Sequence, residues 1–164
     1  MNDRLLAYLA AGLSNGSLYV LVALGIVLIY KSTRVLNFAH GDTAVMVAFL
    51  ALAFGSLGLP WWSAYGLALV VGSLGAAGFY FGVLLPAQRR GSNPVSQLIL
   101  TLGAALVLQG LSGVIWGTEP KAFPFPLSDT EVIHAGPMVF SHLSVGAIIG
   151  GVLGTALIYL FVQK

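Results

Sequence analysis

The chain has no cysteine and very little charge, and both absences narrow what it can do. Without cysteine, disulfides, thiolate metal sites and cysteine nucleophiles are excluded together. The three histidines, His40, His134 and His142, lie far apart, and no pair has metal-ligand spacing. Charged residues make up 7% of the 164, whereas a soluble domain carries about 25%. The net charge is only +2 and the basic residues are scattered along the chain. That argues against nucleic acid or an anionic-lipid patch as partner.

What is present is apolar. Hydrophobic residues form 58% of the chain and the mean hydropathy is +0.95, so the polar surface needed to stay in water is missing. The sequence reads as an all-α integral membrane protein, a polytopic bundle of about five transmembrane helices in one domain over 1–164. The expected spans are 8–30, 43–59, 62–85, 95–117 and 143–162, joined by an external loop at 118–142. Apolar runs near 20 residues satisfy their backbone internally as helices, whereas barrel strands would show alternation over about 10 residues.

Lys and Arg set the expected orientation. With the N-terminus outside, the inner segments hold Lys31, Arg34, Arg89, Arg90 and Lys164, and the outer ones hold Arg4 and Lys121. This bias favours N-out and C-in. Trp61, Trp62 and Trp116 then fall near the outer interface, where aromatic rings anchor well. Arg4 precedes an apolar run that resembles a signal peptide, but only Leu5 to Tyr8 lie before the candidate site Leu9-Ala10-Ala11. An h-region needs about 7–15 residues, so the segment is read as a retained span.

The external loop contains Pro120, Pro124, Pro126 and Pro137, which forbid a continuous helix. Thr130 to Ile133 and Met138 to Ser141 flank Ala-Gly-Pro and form a candidate hairpin. The loop also carries Glu119, Asp129 and Glu131. It is either a dock for an extracytoplasmic partner or a solvated connector.

Glycines recur at helical spacing. Gly146, Gly150 and Gly154 form a ridge in the fifth span, Gly12 and Gly16 share a face in the first, and Gly72, Gly75 and Gly78 step by three. Such ridges let helix backbones approach closely in lipid. They predict a tight bundle and say nothing about a substrate.

One stretch breaks the apolar pattern. Asn37-Phe38-Ala39-His40-Gly41-Asp42 places a carboxamide, an imidazole, a flexible glycine and a carboxylate between two uncharged runs. The helix expected after it has about 17 residues, or about 25 Å, slightly short of a hydrocarbon core of about 30 Å. Either the bilayer thins there or the polar stretch dips below the headgroups. Polar groups at that depth normally face protein or a water-filled cavity. This makes the stretch the candidate functional centre; the plainer reading is an interfacial loop. On physical grounds Asp42 is read as the N-cap of the second helix, with Arg34 as a further pairing partner across the turn. His40 and Asp42 would point about 200° apart on a helix, a poor proton relay unless the backbone breaks at Gly41.

Two motifs nearly match and are discounted. Gly25 to Ser32 resembles a phosphate loop, but Tyr30 replaces its second glycine and the segment is the end of an apolar helix. Gly12-Leu13-Ser14-Asn15-Gly16 reads as a nucleophile elbow, yet it lies within a helix where no strand-to-helix turn is available. No catalytic residue, metal site or cofactor site is assigned.

Gly16-Ser17-Leu18-Tyr19, then Ala23-Leu24-Gly25, Leu28-Ile29-Tyr30 and Asn37 to Asp42 resemble, in order and spacing, the N-terminal signature of the LivH-type permeases of branched-chain amino acid ABC importers. Arg89 and Arg90, and Gln97 to Gly110, are similar more loosely. The resemblance implies a non-catalytic transport subunit in the bacterial cytoplasmic membrane. Its partners would be a second permease subunit (LivM-like), two cytoplasmic ATPase subunits and a periplasmic substrate-binding protein. It carries Asn37, Phe38, His40, Gly41 and Asp42 over as the polar segment beside the solute path, with Gly16, Ser17 and Tyr19 as a helix contact. Arg34 departs from the family, where that position is often small or uncharged. The chain also stops at Gln163-Lys164, where a coupling loop to the ATPase should start, so it is read as an N-terminal portion. The alternative outside this family is a small self-assembling channel or structural membrane protein.

Overall fold

The computed structural model describes residues 2–121, 132–135 and 138–162. Among these described residues are five helices and one short hairpin. In chain order these are α1 (Asn2–Thr33), α2 (His40–Ser56), α3 (Trp61–Arg89), α4 (Pro94–Trp116), β1 (Val132–Ala135), β2 (Met138–Ser141) and α5 (His142–Val162). Among the described residues, three helical segments are long and apolar enough to cross a membrane: Ala11–Thr33, Trp61–Arg89 and Pro94–Trp116. α2 is apolar but shorter, with 17 residues. Large apolar side chains such as Leu74, Leu106 and Val114 stand mostly exposed on these helices. The protein is a polytopic helical membrane protein.

The chain divides into two compact units. The first joins Met1–Leu28 to Phe125–Lys164. Within it, α5 packs on α1 through two glycines three residues apart. A Cβ on Gly151 would lie 3.0 Å from the Ser17 Cβ, and one on Gly154 would lie 2.8 Å from Leu21 Cδ2. Of the predicted ridge of Gly146, Gly150 and Gly154, Gly154 makes this approach, whereas Gly150 has no described residue within 4 Å of an added Cβ. Gly12 and Gly16 also face open space, and Tyr19 is exposed. Ser17 is half-buried, its hydroxyl donating to the Ser14 carbonyl at 2.7 Å.

The hairpin of this unit is antiparallel, with Val132 opposite Ser141 and Ala135 opposite Met138. Its first strand is described from Val132. Thr130 and Glu131, like Asp129, Pro124, Pro126 and Pro137, lie outside the described residues. Pairing Ala135 with Met138 leaves a connection of two residues, the length that best suits a tight hairpin.

The second unit is Ile29–Pro124. α2 and α3 form an antiparallel helical hairpin closed at Gly58, whose φ of 86° only glycine adopts without cost. Gly58 N–H bonds Gly55 O at 3.0 Å and Leu59 N–H bonds Phe54 O at 3.4 Å, the paired bonds of a Schellman stop. Along the hairpin, a methyl added to Gly72 would overlap Val47 Cγ2, whereas Gly75 and Gly78 have open space above them. Ala51, Ala64 and Ala68 are buried. Small residues thus bring two backbones together where lipid supplies no hydrophobic drive.

α3 is interrupted by a π-helical turn at Tyr80–Leu84. Pro86, just beyond it, has no N–H for the Gly82 carbonyl and its ring would collide with that oxygen. The wider turn relieves the conflict. α3 ends in a second Schellman stop, with Gly91 N–H on Gln88 O and Ser92 N–H on Ala87 O. α4 then begins at Asn93, whose Oδ1 accepts from Ser96 N–H at 2.7 Å, with Pro94 as the first helical residue.

Gln88 Nε2 also donates to the Thr33 carbonyl at 3.3 Å, which seats the end of α1 beside the end of α3. Lys31, Arg34, Arg89 and Arg90, scattered in the sequence, therefore gather at one end of this unit. Trp61 and Trp62 mark the opposite end of α3, and Trp116 the corresponding end of α4.

Candidate functional site: the polar turn at the start of α2

α1 stops at Arg34, where φ is 60° and the N–H donates to the Tyr30 carbonyl at 2.8 Å. Every other left-handed residue described is a glycine: Gly58, Gly91 and Gly117. For a side chain with a Cβ this conformation costs about 1–2 kcal/mol. The chain accepts that strain immediately before the polar stretch.

From there it rises along α4. Val35 and Ala39 turn inward and are 4% and 3% exposed, while Leu36 and Phe38 are exposed. Asn37 organises the turn from both its ends. Its Oδ1 accepts from Ala39 N–H at 3.0 Å, and its carbonyl accepts from His40 N–H at 3.3 Å. Ala39 O then receives the N–H and the hydroxyl of Thr43, at 2.9 and 2.7 Å.

The turn is fastened to α4 by Thr101, a side chain with no exposed surface. Its Oγ1 accepts from Phe38 N–H at 3.3 Å. Its own proton is shared between the Leu98 carbonyl at 2.9 Å and the Leu36 carbonyl at 3.3 Å. Below it, Gln88 reaches Gln97 Oε1 at 3.4 Å, and Gln97 Nε2 donates to Ser92 O at 2.9 Å. These groups satisfy irregular backbone that would otherwise be left without partners.

α2 starts at His40, three residues before the position predicted. Asp42 is not its N-cap. The cap position is Ala39, which makes no side-chain cap bond. Asp42 sits within the first turn, where its charge still complements the helix dipole. Its Oδ1 accepts from Gln109 Nε2 at 3.0 Å, so its partner comes from α4 and not from Arg34. His40 and Asp42 both lie in regular helix, and their side chains diverge by about 200°. Gly41 is exposed, with open space above it.

The contacts between α2 and α4 run in one direction. Phe38 meets Thr101, Asp42 meets Gln109, and Phe49 stacks on Trp116 at 5.2 Å between ring centroids. The two helices are parallel, and α2 begins well along its neighbour. At 1.5 Å per residue, Gln109 lies about 22 Å from the Pro94 end of α4 and about 10 Å from the Trp116 end. In lipid, an Asp at such a depth costs roughly 2.5–3.5 kcal/mol unless protein or water covers it.

Sequence reasoning missed Thr101, Gln109, Gln88 and Gln97. A signal for three of them exists: Gln97, Thr101 and Gln109 fall at multiples of four in a mostly apolar span that also holds Ser96 and Ser112, and so follow a stripe that drifts about 120° round the helix at 100° per residue.

Helix ends that place polar groups within the membrane occur in polytopic transport proteins. The comparisons with known proteins agree with this class. Residues 8–163 match the family described as branched-chain amino acid transport system / permease component, and the chain belongs to that family. It is 28% identical over 153 residues to the high-affinity branched-chain amino acid transport system permease protein BraD of Pseudomonas aeruginosa. That match covers 88% of this chain and 47% of BraD, so the chain spans about half the length of the curated relative it matches. No solved structure matches.

Proposed function

We propose that this chain is part of the membrane-embedded permease of an ABC importer, carrying branched-chain or related amino acids across the bacterial cytoplasmic membrane. It contributes five spans, with the N-terminus outside and the C-terminus inside. It works with a second, LivM-like permease subunit, two cytoplasmic ATPase subunits and a periplasmic binding protein, and performs no catalysis itself. Asn37, Phe38, His40, Gly41 and Asp42 lie beside the solute path.

The observation that carries this reading is the start of α2 partway along α4, with the Asp42–Gln109 bond at that level. A short helix and an irregular climb leave polar backbone and side chains where a continuous span would present only apolar ones. Broken helices in transporters expose helix ends and backbone groups to solute in this way. The gathering of Lys31, Arg34, Arg89 and Arg90 at one end, away from Trp61, Trp62 and Trp116, supports the orientation.

The test is uptake of labelled leucine by the full-length permease expressed with its transport partners. Asn37→Ala and His40→Ala are expected to lower uptake while the protein still inserts and assembles. Unchanged uptake in both variants would contradict the assignment of the stretch.

A further inference from the structure

We infer that Asp42 and Gln109 together form a binding station for the protonated amine of the solute. This deepens the transport reading above and rests on it. The two residues are 67 positions apart and meet through one bond of 3.0 Å, from Gln109 Nε2 to Asp42 Oδ1. That bond uses one donor of the carboxamide and one acceptor site of the carboxylate. Asp42 Oδ2 and Gln109 Oε1 remain as acceptors.

Gln109 is neutral, and among the described residues only the dipole of its own helix offsets the charge of Asp42, which has no cationic side-chain partner there. An ammonium group, with three donors and one positive charge, complements two acceptors beside a carboxylate. A carboxylate or phosphate group would be repelled. The chemistry selects a cation-bearing solute end.

Position agrees with chemistry. Asp42 is half-buried and Gln109 exposed, so the pair lies on the rim of the α2–α4 contact and is open on one side. The depth along α4 keeps it away from both helix ends. A carboxylate without a cationic partner, set among apolar side chains, attracts counter-ions. Thr101, two turns below on the same side of α4, holds the turn that delivers Asp42 to this level.

The chain contributes no cysteine, so a direct test needs only that any cysteine elsewhere in the full-length permease and its partners be replaced by serine first. Leu106 is one turn below Gln109 and about 60° round the helix, whereas Val107 is about 160° round, at 100° per residue. Both are exposed. In membrane vesicles holding the full-length permease with its transport partners, Leu106→Cys is treated with a trimethylammonium-bearing or a sulfonate-bearing methanethiosulfonate. The cationic reagent is expected to react at least about tenfold faster, as a negative local field requires. Asp42→Asn should bring the ratio close to one, and Val107→Cys should stay unreactive.

A ratio near one with Asp42 intact, or one unmoved by Asp42→Asn, overturns the station. So does failure of both Leu106→Cys and a second reporter, Leu102→Cys, to react, because the pair would then face lipid. Leucine uptake by the unsubstituted transporter in the same vesicles separates the two levels of the argument. Uptake without charge preference rejects the station alone. Charge preference without uptake supports the station and rejects branched-chain amino acid import.

Discussion

Two helices of the Ile29–Pro124 unit begin in opposite ways. α4 starts by the rules of a helix that needs no help: an asparagine cap bonded to Ser96 N–H, proline next, and a Schellman stop just before. α2 starts without a side-chain cap, behind a strained arginine. Its leading residues are held by groups more than 60 positions away, Thr101 and Gln109. A helix end fixed by local bonds is stable wherever it sits. An end fixed by distant side chains can be placed inside the bundle, and it leaves with the neighbour that holds it. The difference teaches that α2 begins where it does because α4 supplies partners there.

The largest expected effect is at Thr101. Thr101→Val keeps the shape but leaves Phe38 N–H and Leu36 C=O without a buried partner, a loss of about 2 kcal/mol. Unfolding of the detergent-solubilised protein by a denaturing detergent measures it, and Thr101→Ser should recover most of the loss. Equal stability of the valine variant would break the comparison, because α2 would then be seated without α4.

Asn93→Ala comes next, with a loss of about 1 kcal/mol, the usual worth of a side-chain cap. Its effect should be confined to the start of α4. The charge preference of Leu106→Cys labelling and leucine uptake should remain near their values without the substitution, in contrast to Thr101→Val. The smallest effect is at Arg34. Arg34→Gly removes the left-handed strain but adds freedom to the unfolded chain, for a net gain of about 0.5 kcal/mol. A loss of stability there would show that the guanidinium contributes contacts that outweigh the strain.

Much of the fold was legible because its determinants are local. Apolar runs marked the helices. The polar stretch at Asn37–Asp42 stood out against its flanks for the same reason. What was not legible depended on which faces meet. Gly154 approaches Leu21 and Gly150 approaches no described residue, although both belong to one four-residue repeat, because the rotation of α5 is set by the whole contact. Asp42 was read as an N-cap because local rules favour an acid at a helix start. Its bond to Gln109 follows from the register of two helices, which no local pattern states. Arg34 showed the reverse: its departure from the family pattern was visible in sequence, but the left-handed backbone it occupies was not.

The level at which α2 begins is the claim on which the site and the ammonium station both depend. Paired cysteines joined by a short bifunctional thiol reagent, in membranes containing the full-length permease, measure it directly. Asp42→Cys should link to Gln109→Cys and fail to link to Gln97→Cys, which lies about 18 Å further down α4 at 1.5 Å per residue. A link to position 97 in place of 109 would put the start of α2 level with the start of α4 and contradict the account.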